Sequence, residues 1–308
     1  NKKGWAFTFS GSRRWADEGY VPGTYYDGWS YFAGIDKRFG QKHLLSLVTF
    51  GAPTENGRQG SSTKEIQELS GTHYYNPYWG YQNGKKRNAN IGKTFQPVVI
   101  LTHDFRINNN TSLVSALGFS TGKRSTSGID WYNAPDPRPD YYRYLPSYQT
   151  DPYQRDQVTA LFQNSEAARQ LDWQGFYDIN RDNTATINDA NGVAGNNVTG
   201  HRSLYIVQER VTNTQKFNFN SVVNTRISNH ADFTGGISYQ WQRNNYYQEV
   251  NDLLGGEFYV DLNQFAERDF PTNPDAGQND MNRPNRVLYK GDKFGYDYDI
   301  NIKKGSAW

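Results

Sequence analysis

The chain has 308 residues, of which 35% are hydrophobic and 16% aromatic, a mean hydropathy of −0.89, and no cysteine. The formal charge of +2 argues against a nucleic-acid partner, and the lack of cysteine excludes disulfides, thiol catalysis and cysteine-ligated zinc. No stretch approaches the roughly 18 apolar residues that a membrane-spanning helix needs. This criterion does not apply to membrane-spanning β-strands, because only alternate residues of each strand face lipid.

Apolar and polar residues alternate with a period of two along most of the chain, which is typical of β-strands. The alternating apolar residues of the first half are Trp5, Phe7, Phe9, Trp29, Tyr31, Ala33, Ile35, Val99, Leu101, Phe105, Ile107, Leu113, Leu117 and Phe119. Residues 43–51 form a further apolar strand whose facing the sequence leaves open.

The pattern is cleaner in the second half and predicts about eight strands in all. The alternating apolar residues there are Phe217, Phe219, Val223, Ile227, Phe233, Ile237, Tyr239, Trp241, Phe294, Tyr296, Tyr298, Ile300 and Ile302. Several strands reach the roughly ten residues that cross a bilayer at a tilt. The predicted lipid-facing side chains include Phe219, Tyr239, Trp241 and Tyr298, and the predicted inward-facing ones include Asn220, Gln240 and Asp297.

Short and long connections alternate along the chain. Short turns are predicted at residues 38–42, 108–110, 228–231 and 303–305. Long connections are predicted at about residues 16–28, 52–95, 122–213 and 249–287. Short and long connections therefore lie at opposite ends of the strands, as periplasmic turns and extracellular loops do in outer-membrane barrels.

The rival architecture is a soluble β-sandwich, which also alternates. Amide and charged side chains along the polar faces favour a wet barrel interior, and structureless loops of this length are uncommon in compact soluble domains. Trp5, Trp29, Tyr31 and Trp241 suit interfacial girdles, although ordinary core packing would also explain them. We predict an all-β fold in which residues 1–308 form part of an antiparallel transmembrane β-barrel with long extracellular loops.

Three segments resemble Bacteroidetes-type TonB-dependent outer-membrane receptors. The first is residues 4–12 (GWAFTFSGS) with 17–21 (DEGYV), and the second is residues 31–37 (YFAGIDK), 42–47 (KHLLSL) and 50–53 (FGAP). The third is Asp172-Trp173 with Tyr177 and Asn180. Most of the resemblance lies within residues 4–120, and it indicates the early strands of the barrel.

The resemblance implies an internal part of a barrel of about 22 strands with a plugged lumen. The family's plug domain, TonB box and aromatic-ended last strand are not recognisable in this sequence, so we expect a piece of a longer receptor; a self-contained eight-stranded barrel is the alternative.

The implied activity is active uptake of a scarce solute across the outer membrane, with no cofactor and no enzymatic reaction. The implied partners are outer-membrane lipid, the TonB energy-transducing complex and a surface lipoprotein. Glycan or peptide is preferred as substrate over siderophore or cobalamin, because the loops are aromatic and amide-rich and have no strong basic patch. Two rivals stay open: a structural or adhesive barrel protein, and a secreted carbohydrate-binding β protein.

Aromatic clusters in the predicted loops are candidate substrate contacts, because exposed rings stack on sugars, peptides and large chelates. The candidates are Tyr74, Tyr75, Tyr78, Trp79, Tyr81, Trp131, Tyr132, Tyr141 and Tyr142. The alternative is that these rings pack against one another and stiffen the loops.

One acidic segment resembles a calcium-binding loop. Its oxygen-bearing residues are Asp178, Asn180, Asp182, Thr184 and Asp189, at the first, third, fifth, seventh and twelfth positions of an EF-hand-like loop. The sixth position is Asn183 instead of glycine. We favour a turn stabilised by side-chain hydrogen bonds and expect no bound calcium.

Overall fold

The computed structural model describes residues 3–273 and 275–308, and its main feature is one antiparallel sheet. Its strands are β1 (Trp5–Ala16), β2 (Tyr25–Phe39), β3 (His43–Gly51), β4 (Thr54–Gly57), β5 (Trp79–Gln82), β6 (Lys85–Asn88), β7 (Ile91–Phe95), β8 (Val98–Arg106), β9 (Thr111–Trp131), β10 (Thr184–Ile187), β11 (Val198–His201), β12 (Tyr205–Ser228), β13 (Ala231–Asp252), β14 (Tyr259–Val260), β15 (Val287–Leu288) and β16 (Lys293–Ala307). Its helices are α1 (Lys64–Ser70), α2 (Pro152–Asn164), α3 (Trp173–Asp182) and α4 (Gln264–Asp269).

The main sheet is a meander in which each long strand pairs with its neighbours along the chain. β3 and β4 pair one after the other with β2, and β8 and β7 pair one after the other with β9. Each of these two pairs thus acts as one interrupted strand. The order across the described residues is β1, β2, β3/β4, β8/β7, β9, β12, β13 and β16, which confirms the prediction of about eight antiparallel strands.

Local sequence explains how several of these elements begin and end. Gly40 has φ +62 in the turn between β2 and β3, a conformation that glycine adopts without strain. Thr63 and Asp151 cap the first turns of α1 and α2 by accepting backbone N–H hydrogen bonds, and Pro152 occupies the first position of α2. Gly71 ends α1 in the left-handed conformation.

The connections alternate in length as predicted, but their boundaries differ. Short turns span residues 40–42, 107–110 and 229–230, and the connections at the other end span 17–24, 58–90, 132–204 and 253–292. The predicted turn at 303–305 is wrong, because β16 runs on to Ala307 and pairs with β13 there. The unpaired edge of β13 offers backbone partners to these residues, and no local sequence signal shows that.

Two adjacent rows of apolar side chains run across seven strands on one face of the sheet, which we call the apolar face. In each row, residues paired in register lie side by side. The upper row, nearer the long connections, is Phe9, Ala33, Thr49, Val99, Phe119, Phe217 and Trp241; Thr49 is its one polar member, and on the eighth strand, β16, the row continues to Lys303. The lower row is Phe7, Ile35, Leu47, Leu101, Leu117, Phe219 and Tyr239. Both rows lie nearer the short turns than the long connections.

The other face of these seven strands and of β16, the polar face, carries mainly small and polar residues. The register row below the apolar rows is Ala6, Asp36, Ser46, Thr102, Ala116, Asn220, Ser238 and Ser306. The row at the height between the two apolar rows is Thr8, Gly34, Val48, Ile100, Gly118, Asn218, Gln240 and Lys304. Val48 and Ile100 are the only large apolar side chains in these two rows.

Register confirms part of the predicted grouping of side chains by face of the sheet and corrects the rest. Phe219, Tyr239 and Trp241 share the apolar face, and Asn220 and Gln240 share the polar face. The prediction for β16 is inverted: Tyr298 pairs with Tyr246 on the polar face, and Asp297 pairs with Tyr247 on the apolar face, above the apolar rows. Alternation divides the residues of one strand into two sets, but it does not show which set lies on which face of the sheet.

The buried core lies among the long connections 58–90, 132–204 and 253–292, which together we call the loop head. One cluster packs Trp173 and Phe176 of α3 against Tyr205 and Val207 of β12 and Leu254. A second cluster joins the opposite face of β12 to β13 and β16, and its buried members are Tyr132, Ile206, Val250, Tyr259, Leu288 and Phe294. The loop head therefore covers both faces of the upper ends of the central strands.

Two further observations bound the architecture. Within the described residues, β1 pairs only with β2, and β16 pairs only with β13, so each is an edge of the sheet. No helix in the described part of the chain is long and apolar enough to cross a membrane.

Candidate functional site: a cavity in the loop head

The structure divides the predicted aromatic residues into buried and exposed groups. Tyr75, Trp79 and Tyr132 are buried, with 6%, 4% and 7% exposure. Tyr75 packs with Ile66, Leu145 and Phe162, and its hydroxyl donates a hydrogen bond of 3.1 Å to the Arg169 carbonyl. These buried rings stiffen the loop head and present no free face to a ligand.

The exposed rings lie in two regions. Tyr74 and Tyr81 are about half exposed in the connection 58–90. Tyr142 is exposed in the connection 132–204, where it contacts Tyr141 and Tyr148 edge-to-face with ring centroids 4.7 and 5.4 Å away. The tyrosines of this second group pack against one another and form a rigid patch on the surface.

Tyr78 and Trp131, which lie far apart in sequence, meet at a cavity of about 350 Å³ beside the upper end of β9. The full lining is Tyr78, Ala89, Asn90, Thr126, Ser127, Gly128, Ile129, Trp131, Pro137, Arg138, Leu171, Gln208 and Arg210. Two of the nine predicted aromatic contacts thus share one cavity with amide, hydroxyl and guanidinium groups. Such a mixture of rings and convergent polar groups is typical of ligand pockets.

A buried asparagine holds the Tyr78 side of this cavity in place. The Asn76 side chain accepts hydrogen bonds from the backbone N–H groups of Gly60 and Tyr78, both at 3.2 Å, and donates one to the Pro22 carbonyl at 3.0 Å. The backbone N–H of Ala89 donates to the Tyr78 carbonyl at 2.7 Å. Because the side-chain amide joins three segments, the connection 58–90 has one defined shape.

Two polar groups in the cavity are suited to a ligand. Asn90 Oδ1 is buried and accepts no hydrogen bond within the described residues, although buried acceptors are nearly always paired. Arg210 is an exposed cation on β12, on the face shared with Asn218 and Asn220. Arg138, by contrast, is already held by Asp136, with Nε and Nη2 donating to the two carboxylate oxygens at 2.9 and 2.7 Å.

A titratable carboxyl lies beside this ion pair. Burial raises the pKa of Asp140 to about 6, and repulsion from Asp136 adds to the rise while Arg138 opposes it. Asp140 therefore changes charge in the mildly acidic range, within the connection that carries Arg138.

The calcium-like segment is not a loop. Asp178, Asn180 and Asp182 lie in α3, so the turn predicted for this segment is wrong, and Thr184 begins β10. Asp178 accepts a hydrogen bond from the Gln174 side chain at 2.7 Å, and Asp189 lies in a tight turn with φ +49. The described residues contain no group of three or more His, Asp or Glu side chains that would hold a metal ion. The helix forms because Asp172 caps it and its apolar face packs on β12.

Asn180 has a different role from the predicted one. Fully buried, it donates hydrogen bonds to the carbonyls of Tyr205, Leu253 and Leu254 at 2.8–3.1 Å, and it accepts from the N–H groups of Leu204 and Tyr205 at 2.8 and 3.1 Å. It therefore ties α3 to β12 and to the connection 253–292.

Sequence reasoning missed Arg210, Gln208 and Asn90. The first two fall inside the range 122–213, which the sequence analysis assigned to a loop, so their place on the polar face of a strand was not visible. Alternation along β12 would place Arg210 on the face of Asn218 once the strand is extended to Tyr205. No local pattern marks Asn90.

Neither a comparison with protein-family models nor one with curated proteins finds a match for this chain.

Proposed function

We propose that the chain forms part of the wall and the extracellular loops of an outer-membrane β-barrel that takes up a scarce solute in a TonB-dependent way. The observation that carries the membrane part of this proposal is the pair of apolar rows. Phe9 is 73% exposed, and Leu117, Phe119 and Tyr239 are each more than 40% exposed. Soluble monomers rarely leave a continuous apolar surface of this kind open to water.

The height of the apolar face supports the same proposal. On β2, the ten residue steps from Trp29 to Phe39, which include Lys37 near the lower end, cover roughly 33 Å at about 3.3 Å per residue. At a tilt of about 40° this distance rises roughly 25 Å, which matches the apolar band of outer-membrane barrels. Aromatic side chains lie near both limits: Trp29 and Trp15 at the upper limit, and Phe39 and Phe105 at the lower.

The polar face and the connections fit the remaining parts of a barrel. Asp36, Asn218 and Gln240 would line a water-filled lumen, where polar side chains stay hydrated. The loop head would lie outside the cell, and the short turns would lie in the periplasm. A bilayer requires both edge strands, β1 and β16, to be paired, since unpaired backbone groups are costly in hydrocarbon.

Two observations support uptake. The first is the cavity between Tyr78, Trp131 and Arg210, and the second is the resemblance of the sequence to TonB-dependent receptors. Arg210 shares its face with the proposed lumen residues, so a solute captured in the cavity would lie beside the lumen. A glycan or a peptide suits the exposed guanidinium, the unpaired Asn90 acceptor and the two rings.

The test measures uptake in cells that express the full-length gene, with a panel of radiolabelled oligosaccharides and peptides. Collapse of the proton gradient should abolish uptake of the accepted compound while surface binding persists. Tyr78→Ala should lower binding several-fold, because a stacked ring contributes on the order of 1 kcal/mol. Uptake that survives the collapse would indicate a passive pore, and binding without uptake under either condition would indicate an adhesin.

The matched control for Tyr78 is Tyr74, an exposed tyrosine of the same connection that lies outside the cavity lining. Tyr74→Ala should leave binding unchanged. Trp79→Ala is unsuitable for this test, because Trp79 is buried and its loss would disturb the whole connection.

A further inference from the structure

A second and larger cleft, of about 700 Å³, opens on the apolar face of the sheet toward the loop head. Arg13 pairs in register with Trp29, and both lie four residues along their strands above the upper apolar row, where Phe9 pairs with Ala33. Four residues correspond to about 13 Å along a strand. If the apolar rows lie in hydrocarbon, the cleft opens sideways at the depth of the outer-leaflet headgroups.

Exposed aromatic rings form one side of the cleft. Trp15 and Trp29 are 63% and 54% exposed. The Arg13 guanidinium lies over both rings, 5.5 Å from the centroid of Trp15 and 4.8 Å from that of Trp29. Large rings that stay open to solvent above an apolar surface offer flat faces for stacking.

Paired charges form the rest of the lining. Arg13 contacts Asp27 at 3.2 Å, Lys93 contacts Glu55 at 3.5 Å, and the Tyr25 hydroxyl donates to Glu55 at 2.7 Å. The lining holds the cations Arg13, Lys93 and Lys123 and the carboxylates Asp17, Asp27, Glu55 and Glu209. With more carboxylates than cations, the cleft would not attract a bare phosphate, and with so many polar groups it would not hold an acyl chain.

One covered hydrogen-bond acceptor in the cleft has no donor in the described part of the chain. Asp27 Oδ1 is covered and accepts no hydrogen bond within the described residues, while Oδ2 of the same carboxylate faces Arg13. A buried acceptor of this kind is unusual and costs free energy.

We infer that this cleft binds the saccharide headgroup of an outer-leaflet glycolipid. Saccharides present C–H faces that stack on rings and hydroxyls that pair with carboxylates and cations, which are the groups found here. The inference rests on the proposed membrane location, because that location brings headgroups to the cleft. It concerns a site separate from the loop-head cavity, since the two linings share no residue.

The experiment titrates the full-length protein in detergent with lipopolysaccharide that carries its core sugars, and follows tryptophan fluorescence. Parallel titrations use the free core oligosaccharide and phosphatidylglycerol. The double variant Trp15→Ala/Trp29→Ala should weaken binding of lipopolysaccharide roughly ten-fold or more, since two stacked rings are lost. The variant Tyr296→Ala/Tyr298→Ala, which removes two exposed rings outside the cleft, should bind like the wild type.

Phosphatidylglycerol should bind at least ten-fold more weakly than lipopolysaccharide. Equal affinity for the two lipids would overturn the inference, because it would reduce Trp15 and Trp29 to a general interfacial girdle. Unchanged binding in the Trp15/Trp29 variant, or binding of the free oligosaccharide as tight as that of the glycolipid, would also overturn it. Wild-type protein found outside the outer-membrane fraction would instead refute the proposed membrane location.

Discussion

Asn180 is the residue on which the organisation of the loop head depends most. Its amide meets three carbonyls and two N–H groups from segments that are far apart in sequence. A side chain without these groups leaves several buried backbone atoms unpaired, each at a cost of about 1–3 kcal/mol. This set of hydrogen bonds, which we call the Asn180 clamp, therefore stabilises the loop head more than any single surface contact does.

We predict that Asn180→Ala loosens the loop head and leaves the strands below it intact. Hydrogen exchange should rise by an order of magnitude or more at residues 204–206 and 253–256, and the pairing of β12 with β9 near Phe217 should stay protected. Asp178→Ala is the control, because this exposed carboxylate on the same helix bonds the Gln174 side chain and, among the described residues, no other group. Equal exchange in the two variants would show that the clamp contributes nothing.

Asp140 should make the loop head more stable in mild acid. Burial raises its pKa to about 6. Between about pH 4 and 6 the folded state therefore holds a proton that the unfolded state, with a pKa near 3.9, has released. Stability should rise as pH falls through this window and should level off above pH 6.

The measurement is the melting temperature of the loop head from pH 4 to 8 in the wild type and in Asp140→Asn. The variant should melt higher at pH 7 and should lose this contribution to the pH dependence. Asp178→Asn, which removes one exposed carboxylate, should keep the wild-type profile. A wild-type melting temperature that falls on acidification, to the same degree in all three proteins, would assign the pH dependence to other groups.

At the scale of elements, sequence predicted the lower strands well and the upper strands poorly. From residue 213 to its end at the short turn, β12 has one apolar face and one polar face, so the alternation is clear in the sequence. Residues 205–209 are buried on both faces by the loop head, and the alternation disappears. The strand was therefore predicted to begin at about residue 214, and β9 to end at about residue 121.

The candidate site was predictable only in part for the same reason. Tyr78 and Trp131 were named because aromatic residues stand out in a polar segment. The two rings share a cavity with Arg138 and Arg210 because the connections 58–90 and 132–204 pack together. No local sequence pattern encodes that packing. The burial of Tyr75 and Trp79 depends on the same packing.

The two ends of the strands should label from opposite sides of the membrane. Tyr81 is about half exposed in the loop head, and Asn109 is exposed in a short turn. A membrane-impermeant maleimide added to intact cells should modify Tyr81→Cys and spare Asn109→Cys until the cells are permeabilised. Gly80 is a poor labelling site, because a Cβ there would lie 2.0 Å from the Leu171 carbonyl oxygen. Labelling of Asn109→Cys but not Tyr81→Cys in intact cells would reverse the orientation.

At the scale of the whole molecule, the buried core and the apolar face occupy different places. The core lies in the loop head, whereas the apolar rows lie lower on the sheet and remain open on one side. A soluble monomer built only of the described residues would leave those rows in water. A barrel wall would bury them in lipid, and the same polar face would then line the lumen.

The most direct test of this account places a charge on each face at the same height. Leu117 lies on the apolar face, and Asn218 lies on the polar face beside Gly118. In lipid vesicles, Leu117→Arg should lower the free energy of unfolding by roughly 2–4 kcal/mol, as arginine does near the bilayer midplane, and Asn218→Arg should change it by less than about 1 kcal/mol. If Leu117→Arg is harmless, as expected for a half-exposed leucine in water, the apolar face does not lie in a membrane.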